Sequence, residues 1–340
     1  MRLPPDVSQR IALIIGSTVQ DGSRLGEFLL ARDYVVHGLV RRASMFNRSR
    51  IEHLRQDPAL HGKRFFLHYS DLHDPTSLRR ILRQVQPSEL YLLAGQSHVG
   101  LSFEIPELTC QEVANATLSL LEIVRDQDHP PRVYHAASSE IFGAPDEAPQ
   151  TELTPMRPRS PYGCAKAFAT QLCQVYREAY GLFVCNGIAY NHESPRRGEN
   201  FVTRKITRAA ARIKLGQQHE LVLGNLHATR DWGYAPEYVD AMWRMLQQPQ
   251  ADDYVLATGE PHSIRDFLDA AFLPLGLDWA AHVKFDERFV RPVEGRQLVG
   301  DPAKARRELG WEPVTRLRAL ASLMVEADLA AAANPSAPRS

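Results

Sequence analysis

At 340 residues the chain is long enough for one large α/β domain plus a smaller lobe. Its 40 basic and 40 acidic side chains cancel to a formal charge of +0, which excludes the broad basic field of a nucleic-acid or membrane-surface binder. Cys110, Cys164, Cys173 and Cys185 have no CxxC or ligand-like spacing and no HExxH pair occurs among the histidines, so neither a metal site nor a disulfide framework is expected.

The opening MRLPPDVSQR is too polar for a signal peptide, and no apolar run nears the roughly 18 residues of a spanning helix, so a cytoplasmic location is expected. Apolar runs then alternate with helical periodicity. IALIIG, VVHGLV, RFFLHY, LYLLAG and RVYHAA read as buried strands, with helices predicted from about Gly22, from Thr76 to Gln84 and from Glu107 to Arg125. This repetition predicts right-handed crossovers and an α/β fold with a Rossmann-type doubly wound parallel sheet. PRSPYG punctuates a further helix starting near Ser160, and LFVCNGIAY follows as another strand.

After Tyr190 the basic stretch NHESPRRGENFVTRK reads as a polar loop leading into a helix that ends at Gly216. The expected division is a Rossmann domain over 1–190 with a return segment at about 232–258, and a smaller C-terminal α+β substrate-binding lobe over 191–231 and 259–330. The alanine-rich end, 331–340, reads as a disordered tail.

In IIGSTVQDGS, Gly16 and Gly22 bracket a strand-to-helix turn in which backbone N–H groups and a helix N-terminus can approach a pyrophosphate. Val19 stands where a middle glycine would be. A β-branched side chain there is expected to crowd the turn and to disfavour φ > 0. About twenty residues on, where an acidic residue would meet the ribose of NAD, the second strand ends in VRRAS; Arg41 and Arg42 favour a 2′-phosphate, and an exposed basic turn is the alternative. Asp71 in YSDLHD can meet an adenine amino group or cap a helix.

Tyr162 and Lys166 in SPYGCAK are four apart on a predicted helix and share one face. A lysine ammonium beside a phenol stabilises the phenolate, bringing a pKa of about 10 toward neutrality for proton exchange with a substrate hydroxyl. Ser138, ending the fifth strand in HAASSEIFG, can hold the same oxygen, and Glu140, two residues along an extended segment, is expected to project the same way. A capped turn with a solvated glutamate is the alternative.

These residues, with VVHGLVRRAS, RIEHL, PRSPYGCAK, NHESPRRGENFVTRK, GNLHATRDWGYAPEYVDAMW and ATGEPHSIRDF, resemble the GDP-mannose 4,6-dehydratase family of extended short-chain dehydrogenases/reductases, from about Ile11 to Ala327. The resemblance implies a nucleotide-sugar dehydratase in which NADP is reduced and reoxidised within one cycle. It assigns Ser138, Glu140, Tyr162 and Lys166 to catalysis and Asn191, Lys205, Arg230, Arg291 and Glu294 to the GDP-sugar. Gly16, Val19, Gln20, Asp21, Gly22, Arg41, Arg42, Asp71, Leu72, Gln96, Ser97, His192 and Arg197 are assigned to the cofactor together with Tyr162 and Lys166.

It further implies a homodimer or homotetramer in which the Arg41–Arg42 turn reaches a neighbouring cofactor, with no nucleic-acid or membrane partner. Ser138 replaces a family threonine and keeps the hydroxyl. Leu108 for a tyrosine and Arg296 for an acidic residue leave open a related substrate such as a GDP-linked manno-heptose, and the missing loop glycine leaves open a non-catalytic relative that binds the nucleotide sugar.

Overall fold

The computed structural model describes residues 10–44, 46–289 and 297–334. The first half alternates as expected: β1 (Ile11–Ile15), α1 (Gln20–Leu30), β2 (Val35–Val40), α2 (Glu52–Gln56), β3 (Phe65–Tyr69), α3 (Pro75–Val85), β4 (Glu89–Leu92), α4 (Pro106–Cys110), α5 (Ala116–Arg125), β5 (Arg132–Ser138), α6 (Pro161–Tyr180) and β6 (Val184–Ala189). Then come β7 (Asn191–Glu193), α7 (Val202–Lys214), β8 (Leu221–Leu223), β9 (Thr229–Tyr234), α8 (Ala235–Leu246), β10 (Asp253–Leu256), β11 (Pro261–Ser263), α9 (Ile264–Phe272), β12 (Val283–Phe285) and α10 (Leu317–Ala333).

The main sheet has seven strands in the order β10-β6-β5-β4-β1-β2-β3, and the pairs from β3 through β2, β1 and β4 to β5 are parallel. This is the doubly wound Rossmann order, with its reversal between β1 and β4. Both faces of the sheet are covered, so β1 reads as an unbroken apolar run with Ala12, Leu13, Ile14 and Ile15 all buried. Helix α3 shows the local logic. Asp74 caps it by accepting from Ser77 N at 3.0 Å, Pro75 opens it, and Leu78, Ile81, Leu82 and Val85 form the buried stripe.

The chain divides into two units, one of residues 10–138, 161–188 and 239–254, the other of 139–160, 189–238 and 255–334. The segment 139–160, expected with the first domain, belongs to the second unit, as does β9. In the second unit a three-stranded sheet runs β11-β9-β7, with β9 antiparallel to β11 and parallel to β7. Trp232, Phe267, Phe272, Leu320 and Met324 make its core with α7, α9 and α10. Ser263 and Asp266 form a reciprocal capping box that starts α9 directly after β11.

Other boundaries shift for identifiable reasons. Helix α1 begins at Gln20, because Val19 already accepts from Ser23 N. The helix expected over 107–125 is interrupted at residues 111–115 by a π-helical turn, whose Val113 and Ala114 pack against Tyr162 and Ala165. The start of the polar stretch after Tyr190 is strand β7, and α10 continues to Ala333, into the expected tail; residues 335–340 lie outside the described residues. Among the described residues no helix is long and apolar enough to cross a membrane, and no group of three or more histidine, cysteine or acidic side chains could hold a metal.

Two glycines of α1 test this packing. A Cβ on Gly22 would lie 2.0 Å from the Gly16 carbonyl oxygen, whereas one on Gly26 meets nothing nearer than Leu54 Cδ1 at 3.8 Å. Gly22→Ala is expected to destabilise by about 3 kcal/mol or more. Gly26→Ala is expected to stabilise by up to about 1 kcal/mol through helix propensity. Thermal denaturation of both variants checks the contrast.

Candidate active site

The β1–α1 turn is built as a cradle. Gly16 has φ +99°, and a Cβ there would lie 2.8 Å from the Ala94 backbone nitrogen. Ser17 Oγ donates to the Leu39 carbonyl at 2.8 Å and ties the turn to β2. Val19 is the helix N-cap residue, with φ −78° and ψ 171°, and no side chain caps the helix. The expected conflict between valine and positive φ is therefore absent, since this is extended backbone that any residue adopts. What remains is a half-buried β-branched side chain at the mouth of the turn. Gln20 is buried, and its Nε2 donates to Asp21 Oδ1 at 3.1 Å.

Past β2, the exposed Arg41 and Arg42 line an open cleft of about 620 Å³ with Phe46, Asn47, Arg48 and Tyr69. Arg48 Nη1 donates to the Tyr69 hydroxyl at 2.6 Å, and Arg41 lies 3.6 Å from Glu112. Arg48 was not singled out from the sequence; only the fold of the 41–48 loop brings it to the same cleft. Asp71 does not cap α3, since Asp74 does; its Oδ1 accepts from His73 N at 3.0 Å and lies 3.1 Å from the His73 ring nitrogen Nδ1. Leu72 packs against the core, Gln96 Nε2 donates to the His98 carbonyl and Thr109 Oγ1, and Ser97 is exposed.

On the same unit, α6 brings Tyr162 and Lys166 together, as the i, i+4 spacing predicts. Lys166 Nζ lies 5.9 Å from the centroid of the Tyr162 ring and donates to the Ala136 carbonyl on β5 at 2.7 Å, two residues before Ser138. Both side chains are buried, and burial pushes the Lys166 ammonium from its ordinary 10.5 down to about 8. Behind them lies a polar chain missed at the sequence level: His135, Asn186 and Asp253, joined from α6 by Gln174 and Arg177. These residues are far apart in sequence and carry no motif.

Glu140 is the second residue of the second unit. It lies in a 3₁₀ turn, Ser139–Ile141, and is half-buried, so strand alternation does not set its direction as expected. In the small sheet, Asn191 pairs with Trp232 and His192 with Gly233, while Arg230 faces His262 on β11. The His192 ring stacks on Tyr238 at 4.6 Å, and its Nδ1 donates to the Tyr190 carbonyl at 2.7 Å, which fixes the ring plane. Arg230 Nη1 donates to the Thr229 carbonyl at 2.7 Å. Its neighbour Asp231 is buried and accepts from Thr258 N and Oγ1 and from Gly259 N, which anchors the strand.

Arg197 is held by Glu193, Nε to carboxylate 3.1 Å, and lies 3.6 Å above the Phe201 ring. Lys205 donates to the Val222 carbonyl at 2.7 Å; burial lowers its proton affinity, and Asp286 opposes that shift. Arg291 and Glu294, and Arg296 with them, lie outside the described residues.

A lysine at about 8 when folded and at its ordinary 10.5 when unfolded makes stability rise with pH across that window, because the unfolded chain binds more protons there. Below it the folded state carries the full cost, about 3 kcal/mol. Lys166→Met is therefore expected to raise the Tm near pH 7, by an amount that shrinks toward pH 10. A pH series of thermal melts on both proteins checks the sign.

The family model described as GDP-mannose 4,6 dehydratase matches residues 13–324. GDP-mannose 4,6 dehydratase 2 of Arabidopsis thaliana is 54% identical over 326 residues, covering 94% of this chain and 87% of that protein. Among solved structures, UDP-glucose 4-epimerase of Thermus thermophilus in complex with NAD superposes with a TM-score of 0.78 at 26% identity, over 93% of this chain and 98% of that one. The dTDP-glucose 4,6-dehydratase of Streptomyces venezuelae with NAD bound has a TM-score of 0.81 at 23% identity, over 95% and 97%, a likeness of fold. With residues 13–324 matched by the family model and 54% identity over 94% of its length, this chain belongs to the GDP-mannose 4,6-dehydratase family.

Proposed function

We propose that the protein converts GDP-mannose to its 4-keto-6-deoxy product with NADP as a cofactor that is not consumed. The observation that carries this reading is the buried Lys166 ammonium held by the Ala136 carbonyl beside Tyr162, a cation placed where a phenolate has to be stabilised. The identity to the Arabidopsis enzyme supports the substrate.

The residues fit a dinucleotide. Gly16 and Gly22 let the turn backbone pack closely where a Cβ would collide with it, the N-terminus of α1 carries no side-chain cap, and three arginines line the cleft past β2, where a 2′-phosphate would be matched. NADP bound there supplies a hydride acceptor at C4 and a hydride donor at C6.

The chain's own groups do the rest. Tyr162 takes the proton of the C4 hydroxyl while Ser138 holds that oxygen. The resulting ketone acidifies C5, where Glu140 removes the proton; the C6 hydroxyl departs as water with that proton, and once hydride has returned to C6 the enolate takes up at C5 the proton that Tyr162 had received. Arg230, with Arg291 from the sequence, neutralises the diphosphate, and Asn191 and Lys205 orient the nucleotide sugar. A homodimer or homotetramer is part of the same proposal.

Incubation with GDP-mannose is expected to give a product lighter by one water without accumulation of NADPH, faster with NADP than with NAD. Glu140→Gln is expected to slow it by about a thousandfold while nucleotide-sugar binding persists. Mass spectrometry of the nucleotide pool reads the result; an unchanged pool with bound GDP-mannose, and inertness toward a panel of GDP-sugars, would leave only a binding protein. Val19→Gly is expected to tighten NADP by about tenfold at most by clearing the turn, measured by fluorescence titration. Unchanged affinity would show that valine is no obstacle.

A further inference from the structure

His135 lies in the middle of the main sheet, on β5 opposite Leu92 of β4, and is 1% exposed. Its Nδ1 is 2.8 Å from Asn186 Oδ1 on β6. The Asn186 amide nitrogen faces two acceptors, the Thr170 carbonyl at 3.1 Å and Asp253 Oδ1 at 2.8 Å. The amide oxygen must therefore be the group that meets the imidazole, and His135 Nδ1 carries the proton. Asp253 also accepts from Arg177 Nη2 at 2.9 Å and Gln174 Nε2 at 2.6 Å. Positions 170, 174 and 177 of α6 are thus tied through one polar chain to β5, one residue before the carbonyl that receives Lys166.

The imidazole stays neutral. Burial, reinforced by the Lys166 charge, pushes it down to about 3, and its Nε2 meets no hydrogen-bond partner among the described residues. The titratable groups around the chain are Lys166, Cys173 and Arg177 on α6, Cys185 on β6 and Asp253 on β10. Burial raises both thiols, so they remain protonated and the acting charges are Lys166, Arg177 and Asp253.

We propose that His135, neutral and protonated at Nδ1, is a positioning residue: through Asn186 and Asp253 it locks α6 against β5, so that the Lys166 ammonium stays on the Ala136 carbonyl and beside the Tyr162 phenol. This rests on the dehydratase reading for the roles of Tyr162 and Lys166. His135 touches no reacting atom. It acts through the lysine.

His135→Phe keeps the bulk and removes the donor; His135→Gln keeps an N–H for Asn186. Phenolate absorbance, taken as wild type minus Tyr162→Phe across pH, reads Tyr162 ionisation without any substrate. In His135→Phe it is expected to move to higher pH, with about tenfold less phenolate at a given pH near neutrality, and His135→Gln is expected to restore it. The rising limb of the kcat profile for GDP-mannose follows, with KM within about twofold.

Should His135→Phe not fold, Asp253→Asn asks the same question from the far end of the chain, because it lets the Asn186 amide turn over. Tyr162 ionisation unchanged in a folded variant, with only the Tm lowered, would overturn the proposal in favour of a purely structural role. A shifted Tyr162 titration in a protein inert toward GDP-sugars would uphold the positioning and sink the dehydratase reading instead.

Discussion

A lysine ammonium that has given up water for one backbone carbonyl sets the terms for the rest of the site. Lys166 donates to the Ala136 oxygen at 2.7 Å from inside the protein, and burial pushes its ammonium down to about 8. Such a cation persists only if helix and strand cannot drift apart. The sheet order meets that need, with β5 between β4 and β6, and apolar residues of α5 and α6 closing over one face of the sheet. The lysine and the carbonyl it meets are thus both held by the main sheet and the helices packed on it.

The second unit solves a different problem. It carries many cationic side chains that have to be held apart and kept in place. Buried carboxylates do much of this. Glu193 receives Thr203 and Arg197, Asp231 receives the backbone around Thr258, and Asp328 receives Thr207 and Arg204. Each carboxylate takes several donors, so its charge orders the surrounding backbone as well as neutralising a neighbour.

Most of the sheet was legible in the sequence because strands buried on both faces write themselves as short apolar runs, as IALII and VVHGLV do. The Tyr162–Lys166 pair was legible because helical spacing alone joins them. Three kinds of feature were not. Glu140 follows a strand, and nothing local announces that the chain coils there into a 3₁₀ turn. Val19 looked strained on a family template, yet the turn gives it extended backbone. The His135–Asn186–Asp253 chain is assembled from three strands by tertiary structure, and single residues of common type give no periodic or motif signal.

The π-helical turn at residues 111–115 carries one extra residue in a helix that would otherwise run straight from Pro106 to Arg125. Each residue of an α-helix advances about 100°. The insertion therefore sets α4 and α5 out of phase by that amount, so that Thr109 can receive Gln96 while Leu120 and Ile123 remain in the core. In evolutionary terms the turn lets the helix answer to two selection pressures at once: its second half can be held to the core's packing while its first half changes with the loop after β4. Length variation within these five residues would change which surface faces the loop after β4 and leave the core register of α5 untouched.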